Sequence, residues 1–521
     1  MNRSVTLLVS LALLMSACAQ QAGLTSTEID QLAESAMREF HVPGAVIGVV
    51  KDGKVVHAAG YGVRELGLPE TVDTQTLFRI ASMTKSMTTA GLAILVDAGK
   101  LGWDDKVVDH IPDFKMYYPW LTQEFTVTDL LTHRSGLKPY TGDLMLWPQP
   151  NSFTREDIIH NLRYFKPVGN FRTHYDYDNL LYVVAGELFP AVTGQPWEDF
   201  IDQRVLAKLD VTRCFAGHIP AQEMQNLAAP HAIVDGALQV IERNRIDDSA
   251  GVDAAAGGVR CSLDDMLKWV QLQLDGGTLP DGSQLFSREQ GEFMWSPQTI
   301  RTVSQKEVER DRMHFKTYGL GWRLADVQGF KRVSHTGSFT GSNNWMVLIP
   351  ELDLGVVVML NASADAARSA IINGIVRPYL GAPEVDWVEY YRHEQELAAA
   401  NEPAAEAVVA DYDKGSVLAP LSAYVGLYKD PWFGEVSVSL HEDALWFASQ
   451  RSPKLTGRLW PQHDHTFMAR WQDRSAERDV LVDFIGDGLA AFTGMEIRCL
   501  AEWIPCSFVD QEMNLTRVVE E

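Results

Sequence analysis

Between residues 386 and 411 the chain becomes rich in Ala and Glu and carries Pro403, and the apolar pattern differs on either side. A break of that kind separates two folded parts, because few contacts cross an exposed, polar stretch. The reading is a larger part over 25–385, a helical linker over 386–416, and a small β part over 417–521. In the larger part, Thr25-x-x-Glu28 fits a capping box, and Ile29, Leu32, Ala33 and Ala36 recur at helical spacing. Two apolar runs, 46–50 and 55–61, flank Lys51-Asp52-Gly53-Lys54, where Asp-Gly supplies the positive φ angles of a tight hairpin turn. A second apolar hairpin spans 345–349 and 355–360 around Pro350-Glu351-Leu352-Asp353, and it is expected to join the first in one antiparallel sheet. A helix-then-hairpin opening followed by many helices predicts an α+β or mixed arrangement. After the linker, alternating runs such as 436–440 and 445–447, punctuated by Gly434, Gly457, Gly486, Gly488 and Gly494, predict a small all-β sandwich or barrel.

The chain has 69 acidic against 45 basic residues, a formal charge of −24. That field repels phosphate backbones and anionic lipid surfaces, so nucleic acid is not an expected partner. Arg3 followed by an apolar run over 5–15 has the length of a signal-peptide core and is too short to span a bilayer. Met15-Ser16-Ala17-Cys18 resembles a lipobox ending on a lipidated Cys18; Ala17-Cys18-Ala19 also fits ordinary secretory cleavage. The expectation is export, with 1–18 as a lipoprotein-type signal peptide and membrane contact only through the lipid. With Cys18 set aside, Cys214, Cys261, Cys499 and Cys506 remain, an even number that allows three pairings. Cys499 with Cys506 is the simplest pair, and four buried free thiols are the alternative. No CxxC pair and no Gly-rich phosphate loop at a strand–helix junction occurs, and His463-Asp464-His465 reads as a solvated turn. No metal and no cofactor are therefore expected.

Three stretches carry chemistry. Ser82 and Lys85 open a helix-compatible segment that runs to Ala98, with Gly99 placed to end it, and their spacing puts both side chains on one face. An amine whose charge is suppressed can take a serine's proton. Taken alone, the pair also reads as a capping serine beside a solvated lysine. Tyr177-Asp178-Asn179 offers a phenol for proton transfer and an amide for orienting a carbonyl. His335-Thr336-Gly337-Ser338 precedes the second hairpin, where a glycine lets a substrate approach the strand backbone and an imidazole can donate to a substrate oxygen.

In order, spacing and flanks these stretches resemble the serine β-lactamase and penicillin-recognising hydrolase superfamily, in the branch of class C β-lactamases, D-stereospecific peptidases and related esterases. The resemblance runs from about residue 25 to residue 380. It is carried also by Val127-Thr128-Asp129-Leu130-Leu131-Thr132-His133-Arg134-Ser135-Gly136-Leu137, by Ala256-Gly257-Gly258-Val259-Arg260, and by 181–187 with Thr193-Gly194 and Trp197 beyond. It implies a sheet flanked by helices with an all-helical subdomain. It also implies Ser82 as acylated nucleophile, Lys85 as its proton-handling partner, Tyr177 as activator of serine and later of water, and Asn179 as the substrate-orienting amide. His335-Thr336-Gly337 occupies the place of a Lys-Thr-Gly strand, and the backbone N–H groups of Ser82 and Ser338 would form the oxyanion hole. A histidine in place of that lysine is mostly neutral at pH 7, which weakens recognition of a carboxylate. Asp178 adds a negative charge beside the site.

The last part resembles a lipocalin-like β domain often appended to these hydrolases, through Tyr424-Val425-Gly426-Leu427-Tyr428 and Asp430-Pro431-Trp432-Phe433-Gly434. The expected function is an exported serine hydrolase that cleaves amides or esters through an acyl-serine, with D-amino-acid peptides or peptidoglycan-related fragments as substrates. Short-chain esterase, weak β-lactamase and an inactive envelope-binding scaffold are the alternatives.

Overall fold

The computed structural model describes residues 23–242, 246–247, 251–401, 415–486, 492–501, 506–508 and 513–519. Residues 1–22, which include Cys18 and the expected signal peptide, and residues 402–414, which include Pro403, lie outside them. Six helices organise the larger part: α1 (Ser26–Glu39), α2 (Thr84–Asp97), α3 (Leu180–Thr193), α4 (Leu263–Leu274), α5 (Asp365–Tyr379) and α6 (Trp387–Asn401). Its sheet has eight strands: β1 (Gly44–Lys51), β2 (Lys54–Gly62), β3 (Thr299–Arg301), β4 (Lys316–Tyr318), β5 (Arg323–Val327), β6 (Phe330–Phe339), β7 (Ser342–Ile349) and β8 (Leu354–Leu360). Their order is β2-β1-β8-β7-β6-β5-β4-β3, antiparallel throughout.

Local chemistry fixes the opening. Thr25 and Glu28 close a reciprocal capping box on α1. Asp52 and Gly53 both take positive φ (51° and 69°), the turn that suits the right-handed twist of paired strands. The late hairpin then pairs with the early one, Ala45 opposite Leu360, which places β1 inside the sheet. β1 is buried on both faces. Ile47 and Val49 pack with Ile371 and Ile375 of α5 and with Ile29 of α1, whereas Val46 and Val50 join Leu263, Leu267 and Val270 of α4. Each such side chain contributes about 1.5–3 kcal/mol by burial. Gly48 lets α4 come this close: a Cβ there would lie 2.8 Å from Leu267.

The helical part lies between β2 and β3 in sequence, with α2 and α3 at its centre. The chain end forms a closed eight-stranded antiparallel barrel from Gly426–Asp430 to Leu515–Arg517, sealed where Tyr428 pairs with Arg517. Eight strands leave an interior that side chains can fill, and Tyr424, Tyr428, Phe467, Phe484 and Phe492 fill it here. The linker helix is less exposed than its composition predicts. Trp387 is buried against the sheet core, and Tyr391 accepts a hydrogen bond from Asn373 Nδ2 at 3.0 Å. Disulfides join Cys214 to Cys261 and Cys499 to Cys506. Among the described residues no helix is long and apolar enough to cross a membrane.

Candidate active site

Ser82 sits in a single 3-10 turn, Ala81–Met83, that leads directly into α2. It caps neither element with its side chain, so the capping alternative for this serine does not apply. The residue before it, Ala81, has φ +51°, a left-handed conformation costly for a residue with a Cβ and typical of functional turns. Gly337 explains part of this geometry. A Cβ at Gly337 would stand 2.0 Å from the Ile80 carbonyl oxygen, so the glycine lets β6 close on the serine-bearing turn. The space that the sequence reading assigned to a substrate is taken by the protein's own backbone.

Lys85 lies one turn along α2 and is completely buried. Its Nζ is 3.2 Å from Ser82 Oγ, 2.8 Å from Asn179 Oδ1 and 2.8 Å from the Ala256 carbonyl. Burial pulls its pKa down from 10.5 to about 7, against the pull of Asp143, Asp253 and Asp178. In the neutral amine, the two carbonyl oxygens accept its two N–H groups, and the lone pair is left facing the serine hydroxyl.

Tyr177 joins them from the other side. Lys85 Nζ is 4.9 Å from its ring centroid. Its hydroxyl is buried without a full hydrogen bond, close enough to Ser82 for the serine to act on its titration. Burial raises the phenol to about 12, so it keeps its proton at neutral pH. The ring is held by His133, 4.1 Å away centroid to centroid, whose Nδ1 accepts the Asp178 N–H at 3.1 Å. Asp178 itself is buried at the start of α3, where burial raises its carboxyl to about 7 and mutes the negative charge expected there.

His335 departs most from expectation. Its ring is fully buried, with Nε2 2.9 Å from the Tyr318 hydroxyl and Nδ1 2.7 Å from the Thr336 carbonyl. Both nitrogens are engaged, so the imidazole is not offered to a substrate. Burial and the charges of Arg323 and Lys85 push its pKa well below 6.5. A cation is present nonetheless, from the neighbouring strand. Arg323 begins β5, opposite Ser334 of β6; its guanidinium lies 5.9 Å from the Tyr177 ring centroid and feels the phenols of Tyr175, Tyr177, Tyr318 and Tyr140. Among the described residues no carboxylate pairs with it.

Ser82, Tyr177, Asn179, Thr336 and Ser338 line one pocket of about 360 Å³, together with Asp143, Arg323, Tyr140, Trp147 and Phe339. β6 runs past the end of β5, whose pairing stops at Arg323 and Ser334, so Thr336, Ser338 and Phe339 border this pocket. Thus Ser82, Lys85, Tyr177, Asn179, Thr336 and Ser338 come together, whereas His335 and Gly337 support the wall from behind. Sequence reasoning missed Arg323, Asp143 and His133. Only His133 had a signal, inside the 127–137 stretch.

The barrel reaches the pocket through one segment. Trp147 packs edge-on against Phe339 with centroids 5.3 Å apart, and five residues later the Ser152 N–H donates to the Arg451 carbonyl of the barrel at 2.9 Å while the Ser152 carbonyl accepts from the Arg451 guanidinium at 2.7 Å. Arg451 also pairs with Asp157 and lies 4.1 Å over Phe153, while Asn161 donates to the Trp432 carbonyl at 3.1 Å. Arg451→Ala is expected to loosen this junction and lower kcat/KM by about 3- to 10-fold, because small displacements of a pocket wall are costly. Unchanged kinetics in a variant whose barrel remains docked would remove this coupling.

A buried Ser–Lys–Tyr cluster beside the end of β6 that runs past β5, on this α+β frame, defines a serine hydrolase of the penicillin-recognising kind. The chain belongs to the Beta-lactamase family, which it matches over residues 29–377; residues 415–517 match a domain of unknown function, DUF3471. An unguisins hydrolase of Aspergillus campestris is 25% identical over 444 residues, covering 82% of this chain and 80% of the relative. Protein flp of Staphylococcus aureus is 24% identical over 356 residues, covering 65% and 63%. The octameric penicillin-binding protein homologue from Pyrococcus abyssi shares the fold, with a TM-score of 0.55 at 22% identity, covering 95% of this chain and all of that one.

Proposed function

We propose that the chain is an exported amidohydrolase that cleaves small D-amino-acid peptides or peptidoglycan-related fragments through an acyl-serine at Ser82. The observation that carries this reading is the buried Lys85 amine, 3.2 Å from the Ser82 hydroxyl with its pKa lowered to about 7. Ser82 Oγ attacks the substrate carbonyl while its proton passes to Lys85 Nζ. The oxyanion is held by the backbone N–H groups of Ser82 and Ser338. As the C–N bond breaks, the departing amine takes a proton from the Lys85 ammonium, relayed through the protonated Tyr177 hydroxyl. Water then attacks the ester with the same groups acting in reverse.

Arg323 favours a peptide over a simple ester. A buried guanidinium without a carboxylate partner is costly, and a substrate carboxylate offsets that cost with a paired, planar contact. The pocket lies at the small end of ligand cavities, in keeping with a dipeptide-sized substrate. Arg323→Met is expected to raise KM for D-alanyl-D-alanine by about 10- to 100-fold and to change KM for its C-terminal amide far less. Released D-alanine measured by chromatography reads both. Equal losses on the two substrates, or faster turnover of p-nitrophenyl acetate than of any peptide, would favour the esterase reading. The two disulfides are in keeping with an oxidising compartment. Lipidation at Cys18 is tested by palmitate labelling and globomycin sensitivity.

A further inference from the structure

Asp143 places a buried carboxyl group at the reacting end of the pocket. It opens the one-turn 3-10 helix Asp143–Met145 after Gly142, is 8% exposed, and lines the pocket beside Ser82, Tyr177 and Asn179. Its Oδ2 accepts a hydrogen bond from Asn179 Nδ2 at 2.8 Å, while its Oδ1 is buried with no hydrogen-bond partner. The Asn179 amide is therefore already committed. Its oxygen takes Lys85 Nζ and one of its N–H groups goes to Asp143, so much of the substrate-orienting capacity expected of this residue is spent inside the protein.

The pocket also holds a guanidinium and a carboxyl group that do not pair with each other. Among the described residues Arg323 and Asp143 form no ion pair, although both line the same 360 Å³. An unpaired buried carboxylate oxygen carries a desolvation cost that a donor from a ligand would remove. The complement of a guanidinium and a carboxylate held apart in one small cavity is a zwitterion.

We propose that Asp143 is a specificity-determining residue that accepts the free ammonium of the residue whose carbonyl Ser82 attacks, so that the substrates are aminoacyl amides with an unblocked N-terminus. This rests on the acyl-serine reading above and narrows it from D-amino-acid amides in general to those with a free amine. Burial holds the empty carboxyl well above its usual range, and an ammonium placed against it restores the ionised form. A protonated Asp143 donating to the carbonyl of an N-acyl group would instead prefer blocked substrates, so the two alternatives predict opposite selectivity.

The test is kcat/KM for D-alanyl-p-nitroanilide and N-acetyl-D-alanyl-p-nitroanilide, in wild type and in Asp143→Asn. Wild type is expected to favour the free amine by at least about 10-fold, the size of one charge-assisted contact. Asp143→Asn, which keeps the shape and an oxygen for Asn179, is expected to shrink that ratio by about 10-fold or more, with the change in KM. Wild-type preference for the N-acetyl substrate would overturn the proposal. So would a variant in which both substrates lose rate equally with the ratio preserved, because that is the signature of a residue that only positions Asn179 and Lys85. Should Asp143→Asn fail to fold, the wild-type ratio decides alone. Failure of the acyl-serine reading looks different, as turnover of both substrates that persists in Ser82→Ala or is absent altogether.

Discussion

Ser82→Ala is expected to lower kcat/KM on every amide or ester substrate by on the order of 10⁴-fold or more, with the fold intact. The size follows from chemistry: without Oγ no acyl-enzyme forms, and only the donors of the oxyanion hole and binding remain. The intact fold follows from structure. The serine caps no helix, and the turn that carries it is fixed by Gly337 packed on the Ile80 carbonyl and by the backbone of Ala81. Loss of Oγ leaves Lys85 with its two carbonyl partners. Circular dichroism and the thermal midpoint should therefore match wild type while turnover disappears.

Lys85→Met is expected to cost about 10³- to 10⁴-fold in kcat/KM, the upper range for loss of a positioned proton acceptor. Methionine fills nearly the same volume, so the helix packing survives, although Asn179 Oδ1 and the Ala256 carbonyl lose a donor. In wild type the rate should climb with pH. The ammonium has no lone pair and cannot take the serine proton; the amine can, and its pKa of about 7 places the rising limb of kcat/KM near neutrality. The Tyr177 phenol, at about 12, contributes no base in that range. Lys85→Met should flatten this limb. A limb that survives the substitution would assign the proton to another group.

Much of the frame was legible because it is written locally. Thr25 with Glu28, and Asp52 with Gly53, specify a helix start and a turn from adjacent residues alone. The helix after Ser82 ends as expected at Ala98, with Gly99 at φ +64°. Short alternating runs at 436–440 and 445–447 announced a β domain, and its closure into a barrel depended on Tyr428 meeting Arg517, a pairing across the whole domain. The cysteine pairing was equally non-local: Cys214 and Cys261 stand directly opposite each other on two short strands.

At the site, motif residues were found and their neighbours were not. Arg323 reaches the pocket only because β5 pairs with β6 in one register, Arg323 opposite Ser334. Nothing in a Trp-Arg-Leu run predicts that. The same register explains why His335 misled. A residue type known to donate to substrates lies here behind the wall, its nitrogens taken by Tyr318 and Thr336, while the charge it lacks is supplied from the next strand. Asp143 sits in a one-turn element without periodicity and becomes visible only through its bond to Asn179.

The central claim is a covalent acyl-serine at position 82, and the direct test is intact-protein mass after millisecond mixing with p-nitrophenyl acetate, with a penicillin in parallel and Ser82→Ala alongside. The account predicts a gain of one acyl group per chain in the wild type, mapped by peptide digestion to Ser82 and absent from Ser82→Ala. Folded wild type that gains no mass and turns nothing over, or a Ser82→Ala variant that is acylated and turns over at the wild-type rate, would contradict it.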